Sequence, residues 1–146
     1  MRINARIGRA LSTVHRMTQT HVSRVLEPYA LGSGQFPFFM AVMHQEGSTQ
    51  EEISESLRMD KATTTKALRK MVDAGYMIKE RDPHDARVWR VRLTDKGRAL
   101  IPTVIGCLRC WSEVMYTGFT IKEKKLFTDM LERIVRNVDA QGENKP

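Results

Sequence analysis

The 146-residue chain lacks the features that mark exported or membrane-spanning proteins. It contains no run of about 18 apolar residues, so no membrane-spanning helix is expected. The basic N-terminus, residues 1–6, lacks the apolar core of a signal peptide. The chain has only two cysteines. Because few cysteines and no export signal are typical of a reducing compartment, we expect a cytoplasmic protein.

The sequence also lacks the residue clusters that enzymes and metal sites need. The four histidines lie in separate predicted elements, with no Ser-His-Asp set and no paired-carboxylate arrangement. No Gly-rich phosphate loop occurs. A metal site usually takes four ligands, and no second Cys or His pair joins Cys107 and Cys110. We therefore expect no enzymatic activity, no metal and no cofactor.

The two cysteines leave one alternative open. A redox dithiol favours a loop or a helix N-terminus, where the thiolate is stabilised, whereas Cys107 and Cys110 lie in the middle of a predicted helix. Small buried side chains are therefore the preferred interpretation. A thiol-based redox-sensing role for this pair remains the alternative.

What the chain does have is an uneven distribution of charge around a net value of +7. Residues 1–24 carry five arginines and no acidic residue, and residues 25–57 carry five acidic residues and no Lys or Arg. Residues 58–92 hold ten Lys and Arg against five Asp and Glu, a net charge of +5. A basic block attracts nucleic-acid phosphates, although by itself it is also typical of a solvated surface.

Residues 31–99 predict a winged helix-turn-helix, a mainly helical fold with a small β-hairpin. A short, very apolar helix comes first. Thr49 can cap the next helix, and Glu52 three residues later completes a capping box. Asp60 caps a third helix that ends near Gly75. A short helix, a tight turn and a second helix with outward Lys and Thr side chains are typical of the helix-turn-helix.

A β-hairpin is predicted directly after these helices. Residues 76–80 and 88–93 have the composition and alternation of strands. The tip between them, residues 82–87, carries Pro83 and Asp85, which both favour turns. A helix sized for the major groove, followed by an arginine-bearing hairpin, suits duplex DNA.

Long amphipathic helices are predicted towards both ends of the chain. Apolar residues recur at three- and four-residue steps over residues 3–29, and another such helix starts at Thr94. A second capping box, formed by Thr120 and Glu123, begins the last helix. We expect the tail, residues 141–146, to be disordered.

A winged-helix core of about 60–90 residues does not need all of these helices. We therefore expect residues 1–30 and 100–140 to form a helical dimerisation region beside a DNA-binding lobe, residues 31–99. A two-fold homodimer also suits a pseudo-palindromic operator with half-sites one helical turn apart. A monomeric helical bundle is the alternative.

Three segments carry a resemblance to a known family. Residues 31–36 (LGSGQF) are similar to its Leu-Thr-x-x-Gln-Phe segment, and residues 60–66 (DKATTTK) to its Asp-Lys-Ser-Thr-Val-Thr-Arg recognition helix. Residues 82–87 (DPHDAR) with residues 91–97 (VRLTDKG) are similar to its wing and Leu-Thr-x-x-Gly exit. In this order, the three segments resemble the MarR family of transcriptional regulators, and the resemblance covers nearly the whole chain.

The resemblance implies a sequence-specific transcriptional regulator that binds double-stranded DNA. It also implies a repressor that is released by a small aromatic, phenolic or anionic ligand. Two alternatives remain: a winged-helix module that binds proteins without reading DNA, and a redox-sensing regulator that uses Cys107 and Cys110.

The predicted DNA-contacting residues lie in the third helix of the lobe and in the wing. The resemblance implies that Arg87 enters the minor groove and that Asp85 holds its guanidinium, although this pair could also be a local turn-stabilising contact. Arg90 is a candidate phosphate contact. Candidates for base edges or nearby phosphates are Ala62, Thr63, Thr65 and Lys66, and candidates for phosphate contacts alone are Lys61, Arg69 and Lys70.

The resemblance also implies an effector site where the dimerisation helices meet the DNA-binding lobe. The matching positions are Arg16, Phe36 and Met40. Arg16 could pair with a carboxylate, and the other two side chains would supply apolar walls. The alternative is that Phe36 and Met40 belong to the core and that Arg16 is a surface charge.

Overall fold

The computed structural model describes residues 2–142, and the side chains of residues 5–142. The elements in chain order are α1 (Arg2–Leu26), a short 3-10 helix (Glu27–Tyr29), α2 (Phe36–His44), α3 (Gln50–Leu57), α4 (Lys61–Asp73), β1 (Met77–Arg81), β2 (Trp89–Leu93), α5 (Asp95–Met115) and α6 (Ile121–Gly142). Within the described residues, six α-helices and one antiparallel hairpin confirm the predicted mainly helical fold with a β-hairpin wing. None of the described helices is long and apolar enough to cross a membrane.

The predicted caps define the helix-turn-helix. The Thr49 hydroxyl accepts from the Glu52 amide at 3.2 Å, and the Glu52 carboxylate accepts from the Thr49 amide at 2.7 Å, which confirms the capping box at α3. Arg58 adopts a φ of 53° and ends α3. Asp60 then accepts from the Thr63 amide at 2.7 Å and starts α4. Side-chain caps satisfy helix N–H groups that have no partner inside the helix.

Thr64 joins α3 to α4 as a fully buried polar residue. Its hydroxyl donates to the Asp60 carbonyl oxygen one turn earlier, at 2.9 Å. The same oxygen accepts from the Ser54 hydroxyl of α3 at 2.9 Å. Both buried hydroxyl hydrogens therefore have an acceptor, and the hydrogen bond from Ser54 to Thr64 fixes the packing of the two helices.

Backbone hydrogen bonds connect β2 of the hairpin to the loop before α3. Met77 pairs with Leu93, and Arg81 with Trp89, so the two strands run over the predicted segments with boundaries shifted by about one residue. The Val91 amide donates to the Ser48 carbonyl at 2.9 Å, and the Val91 carbonyl accepts from the Gly47 amide at 2.9 Å. The loop before α3 thus acts as a short second partner of β2, and its hydrogen bonds hold the wing and the helix-turn-helix together.

The chain forms two compact units, one up to Trp111 and one from Ser112 onward. The core of the first unit contains buried apolar residues from α1, the segment before α2, α2, α3, α4, the hairpin and α5: Val22, Leu26, Leu31, Phe38, Phe39, Val42, Ile53, Leu68, Met71, Met77, Val91, Leu93, Leu100 and Val104. The helix α5 continues through Pro102. The predicted division into a DNA-binding lobe and a dimerisation region stays a prediction.

The second unit contains the end of α5 and the whole of α6. Thr120 and Glu123 exchange hydrogen bonds of 2.7 and 3.2 Å, which confirms the second capping box. The rings of Tyr116, Phe119 and Phe127 meet edge to face. α6 extends to Gly142, two residues into the tail for which disorder was predicted, and residues 143–146 lie outside the described part of the chain.

The two cysteines have different surroundings. Cys107 is buried, whereas Cys110 is exposed. Burial raises the pKa of the Cys107 thiol, and the neighbouring Cys110 adds to this effect. The prediction of two buried thiols is therefore correct for Cys107 and wrong for Cys110, because only one of the two positions faces the core of the protomer. A raised pKa leaves less of the reactive thiolate at neutral pH.

Candidate nucleic-acid interface

The helix α4 presents one continuous exposed face. All seven residues that the sequence predicted to contact DNA from this helix are exposed: Lys61, Ala62, Thr63, Thr65, Lys66, Arg69 and Lys70. The opposite face carries buried Leu68 and Met71 and faces the core. The amphipathic pattern of the helix therefore places its cationic and hydroxyl side chains outward, where a nucleic acid could reach them.

Two of these exposed residues also take part in local contacts. The Thr63 hydroxyl donates to the Asp60 carboxylate at 2.6 Å, and hydrogen bonds from Thr63 hold the pKa of Asp60 below its usual value. Lys61 lies 3.9 Å from the Glu51 carboxylate, with both side chains well exposed. Exposed ion pairs at this separation contribute little, so Lys61 keeps its charge available. The Thr63 hydroxyl, by contrast, is engaged in the cap.

The wing tip is organised around Asp82. Its Oδ1 accepts from the His84 amide at 2.7 Å and from the Asp85 amide at 3.1 Å, while its Oδ2 accepts from the Arg90 guanidinium. The hydrogen bond from Arg90, followed by that from the His84 amide, lowers the pKa of Asp82 to about 2. The ionised carboxylate therefore fixes the turn and ties the tip to β2.

Arg87 projects from this tip into solvent. Its side chain is 92 % exposed, and its Nε lies 3.3 Å from Oδ1 of Asp85. The same carboxylate oxygen accepts from the Arg87 amide at 3.0 Å. Asp85 thus holds both the backbone and the guanidinium of Arg87, while most of the cation stays accessible. This is the geometry in which an arginine can enter a groove.

Arg90 has different surroundings from Arg87, although both were predicted to contact DNA. Its guanidinium pairs with the Asp82 carboxylate and donates to the Gly47 carbonyl oxygen at 2.8 Å. The hydrogen bonds direct it towards the loop before α3. The structure therefore assigns Arg90 a role in fixing the wing, and its phosphate contact stays a prediction.

An open cleft of about 530 Å³ separates the start of α3 from the wing. Its lining includes Gln50, Lys79, Arg87 and the exposed ring of Trp89. The sequence did not single out Gln50 or Lys79. Gln50 contacts Thr65 and Lys79, 15 and 29 positions away, so no local periodicity could reveal its role.

The three predicted effector residues have different surroundings in this protomer. Arg16 donates to Ser12 at 2.7 Å and to Thr13 at 3.4 Å, both on its own helix. Phe36 and Met40 are half-buried and pack against the core. None of these three residues lines the cleft between α3 and the wing or the second cleft beside Lys70 and Asp73. The effector site stays a prediction.

Helices α3 and α4, which begin at side-chain caps and are joined by the Ser54–Thr64 hydrogen bond, form a helix-turn-helix. With the attached β-hairpin, this is a winged helix-turn-helix of the kind found in transcriptional regulators. The MarR family model matches residues 31–88. A MarR transcriptional regulator from Methanosarcina mazei Go1 is 39% identical in sequence, with a TM-score of 0.84 over 90% of this chain and 94% of that one. The chain belongs to the MarR family.

Further relatives agree with this assignment. A MarR protein from Peptoclostridium difficile is 32% identical and has a TM-score of 0.87, covering 92% of this chain and 88% of that one. YybA of Bacillus subtilis strain 168, an uncharacterized HTH-type transcriptional regulator, is 26% identical over 77% of this chain and 75% of its own length. The family to which these relatives belong consists of transcriptional regulators and is not a family of enzymes.

Proposed function

We propose that this protein is a sequence-specific, double-stranded-DNA-binding transcriptional regulator that binds a pseudo-palindromic operator as a homodimer. The observation that carries the proposal is the exposed cationic face of α4 beside an arginine held at the wing tip. A helix of this kind fits the major groove, and an arginine fits a narrow minor groove. A protein of the same fold from Listeria monocytogenes, with a TM-score of 0.85, was solved with a 26mer DNA.

The residues of α4 divide into two roles. Ala62, Thr65 and Lys66 lie on the exposed face, so they reach base edges, where methyl groups suit thymine and ammonium groups suit guanine. Lys61, Arg69 and Lys70 bind phosphates and set the register of the helix on the duplex. Thr63 contributes mainly as part of the cap at Asp60.

Dimerisation is supported by apolar side chains that the protomer leaves exposed. In α1 these are Ile7, Leu11, Val14 and Met17, and in α6 they include Phe127, Met130, Ile134 and Val138. Large exposed apolar patches mark interaction sites in soluble proteins. A two-fold pair would cover these residues and present two α4 helices to the two halves of one operator.

We further propose that the protein is a repressor. A small aromatic or anionic ligand that binds at Arg16, Phe36 and Met40 would release it from the operator. This proposal is supported by family membership and by the partial exposure of these apolar walls. Trp111, whose indole donates to Thr18 of α1 at 2.8 Å, lies beside the same helix and can report binding by fluorescence. A panel of aromatic acids should give one saturable quenching response, whereas a flat response to every member contradicts the effector site.

The DNA-binding part is tested by titration of a duplex recovered by selection from genomic fragments. In each protomer three cations, Lys61, Arg69 and Lys70, are proposed to bind phosphates. A plot of the logarithm of affinity against the logarithm of salt concentration should therefore have a slope of about −5 for the dimer. Arg87→Ala should weaken binding by about 1–3 kcal/mol, because it removes one specific contact. Arg9→Ala, which removes an exposed arginine of α1, is the control and should have a much smaller effect.

Two outcomes would contradict the proposal. No salt-dependent affinity for any duplex would favour a protein-interaction role instead. Equal DNA affinities of the wild type and Arg87→Ala would show that Arg87 at the wing tip does not contribute to binding.

A further inference from the structure

A chain of four hydrogen-bonding residues, here called the relay, connects the wing to α4, which is the reading helix of the proposed function. It consists of Lys79 in β1, Gln50 in α3, and Thr65 and Lys61 in α4. The Lys79 Nζ lies 3.0 Å from Gln50 Oε1, and Gln50 Nε2 lies 2.5 Å from Thr65 Oγ1. Thr65 Oγ1 lies 2.8 Å from the Lys61 carbonyl oxygen. Three elements of the lobe thus meet at the side chain of Gln50.

The chemistry of the end groups fixes the direction of every hydrogen bond in the relay. The ammonium of Lys79 can only donate, so it must face the carbonyl oxygen of Gln50. The amide nitrogen of Gln50 then faces Thr65 and can only donate to it. The Thr65 hydroxyl accepts this hydrogen bond and gives its own hydrogen to the Lys61 carbonyl, which can only accept.

This polarity limits what Thr65 can offer a base. Its one hydroxyl hydrogen is committed to the backbone of α4, so it cannot donate to the acceptor atoms of guanine or to O4 of thymine. Because the oxygen is held by the relay, the Thr65 side chain is also restrained in one rotamer. The methyl group and one lone pair of the hydroxyl are what remain for contact.

We propose that Gln50 is a positioning residue that fixes Thr65 so that its methyl group reads the 5-methyl group of a thymine in the major groove. The inference rests on the proposed function, because it needs α4 to lie in that groove. Lys79 orients the Gln50 amide, so the wing strand takes part in base reading without touching a base. The residue chosen at position 50 therefore affects specificity from outside the reading helix.

The test uses the duplex recovered by selection from a random-sequence library, with each thymine replaced in turn by deoxyuridine, which lacks only the methyl group. For the wild type, we expect one replacement in a half-site to weaken binding about fourfold, the effect of one buried methyl group. Thr65→Ser, which keeps the hydroxyl and loses the methyl group, should bind the thymine and uracil duplexes equally. Thr65→Val keeps a methyl group but cannot accept the hydrogen bond from Gln50, so it should lose most of the preference, as Gln50→Leu does.

The role of Gln50 is tested by Gln50→Leu, with Gln45→Leu as the matched control at an exposed glutamine before α3. Gln50→Leu should reduce the fourfold preference to less than twofold, and Lys79→Met should reduce it in the same direction. Gln45→Leu should leave it unchanged. Thermal unfolding of each variant verifies that the lobe is folded at the temperature of the titration.

The results separate the inference from the proposed function. If the wild type binds the selected duplex but no replacement changes its affinity, or if Gln50→Leu keeps the full preference, the inference is overturned while DNA binding stands. If Thr65→Val keeps the full preference, the hydrogen bond from Gln50 is not needed to place the methyl group, and the positioning role is overturned. If the wild type binds no duplex even at low salt, the proposed function itself fails.

Discussion

The Asp82 carboxylate accepts hydrogen bonds from the His84 amide, the Asp85 amide and the Arg90 guanidinium. The Asp82 side chain is only 10 % exposed, so little water competes for these contacts. Since Asp85 in turn holds Arg87, the orientation of the arginine proposed to enter the minor groove depends on the ionisation of Asp82.

The pKa of Asp82 makes a prediction about acid stability. Its pKa is about 2 in the folded protein against 3.8 for an ordinary aspartate, so the unfolded chain binds a proton more readily. The stabilisation is therefore fully present above about pH 4 and is lost as the pH falls through about 2. We expect the Tm of the wild type to exceed that of Asp82→Asn at neutral pH, and the difference to shrink between pH 4 and pH 2.

Thermal unfolding followed by circular dichroism at pH 2 to 7 measures this difference. Asp95→Asn is a suitable control, since the Asp95 side chain is fully exposed and lies 3.7 Å from Arg98. A difference between wild type and Asp82→Asn that stays constant down to pH 2 would contradict the role assigned to the ionised carboxylate.

The roles of individual wing residues were only partly predictable from the sequence. The pair of Asp85 and Arg87 is local, two positions apart, and the turn brings the side chains together. Arg90 was predicted to contact DNA like Arg87, but it meets Asp82 when the hairpin pairs and meets the Gly47 carbonyl only when the wing docks on the loop before α3. A basic residue's partner is set by tertiary packing when the contact spans 43 positions.

At the scale of elements, the start of α5 is packed directly against Gly75 and Tyr76, which link α4 to the hairpin. A Cβ atom at Gly97 would lie 2.2 Å from the Tyr76 carbonyl oxygen, far closer than any normal contact. The Thr94 amide donates to the same oxygen at 3.0 Å, and the Thr94 hydroxyl donates to the Gly75 carbonyl at 2.5 Å. Only glycine lets α5 begin this close to the hairpin.

Gly97→Ala should therefore destabilise the protein by about 2 kcal/mol or more, because backbone atoms must shift to relieve the contact. Gly106→Ala in the same helix is the matched control, since a Cβ atom there meets nothing within 4 Å. Gly106→Ala should be neutral or stabilise by up to about 1 kcal/mol, the helix preference for alanine. Urea unfolding measures both, and equal effects of the two substitutions would refute the close-packing argument.

The elements themselves were predictable where the signal is local. Capping residues lie within three positions of the amides they bind, so Thr49, Asp60 and Thr120 marked the helix starts correctly. Strand boundaries moved by about one residue, because pairing is decided by the partner strand. The relay through Gln50 could not be predicted, since it links two helices and a strand that are far apart in the chain.

At the scale of the whole molecule, apolar residues that lie in stripes on α1 and α6 remain exposed in the protomer. Periodicity predicted the stripes, but it cannot distinguish a residue covered by its own chain from one covered by a second copy. The protomer fills its core with residues of the first unit, while no residue of α6 is buried. An amphipathic helix with an uncovered apolar face gains stability when a partner covers it.

The dimer is tested by placing a charge on that apolar face. Ile134 is 41 % exposed in the protomer, and Asn137 lies one turn further along α6. Ile134→Asp should weaken the dimer about a thousandfold, because two symmetry-related substitutions each remove about 2 kcal/mol of apolar burial. Asn137→Asp adds the same charge at a polar position and should change the dimer constant by less than about threefold. Sedimentation velocity over a dilution series measures both constants. A wild-type protein that is monomeric at tens of micromolar would contradict the two-fold arrangement.

The loss of the dimer should also weaken DNA binding. Since one α4 helix binds only one half-site, Ile134→Asp should lose most of its operator affinity.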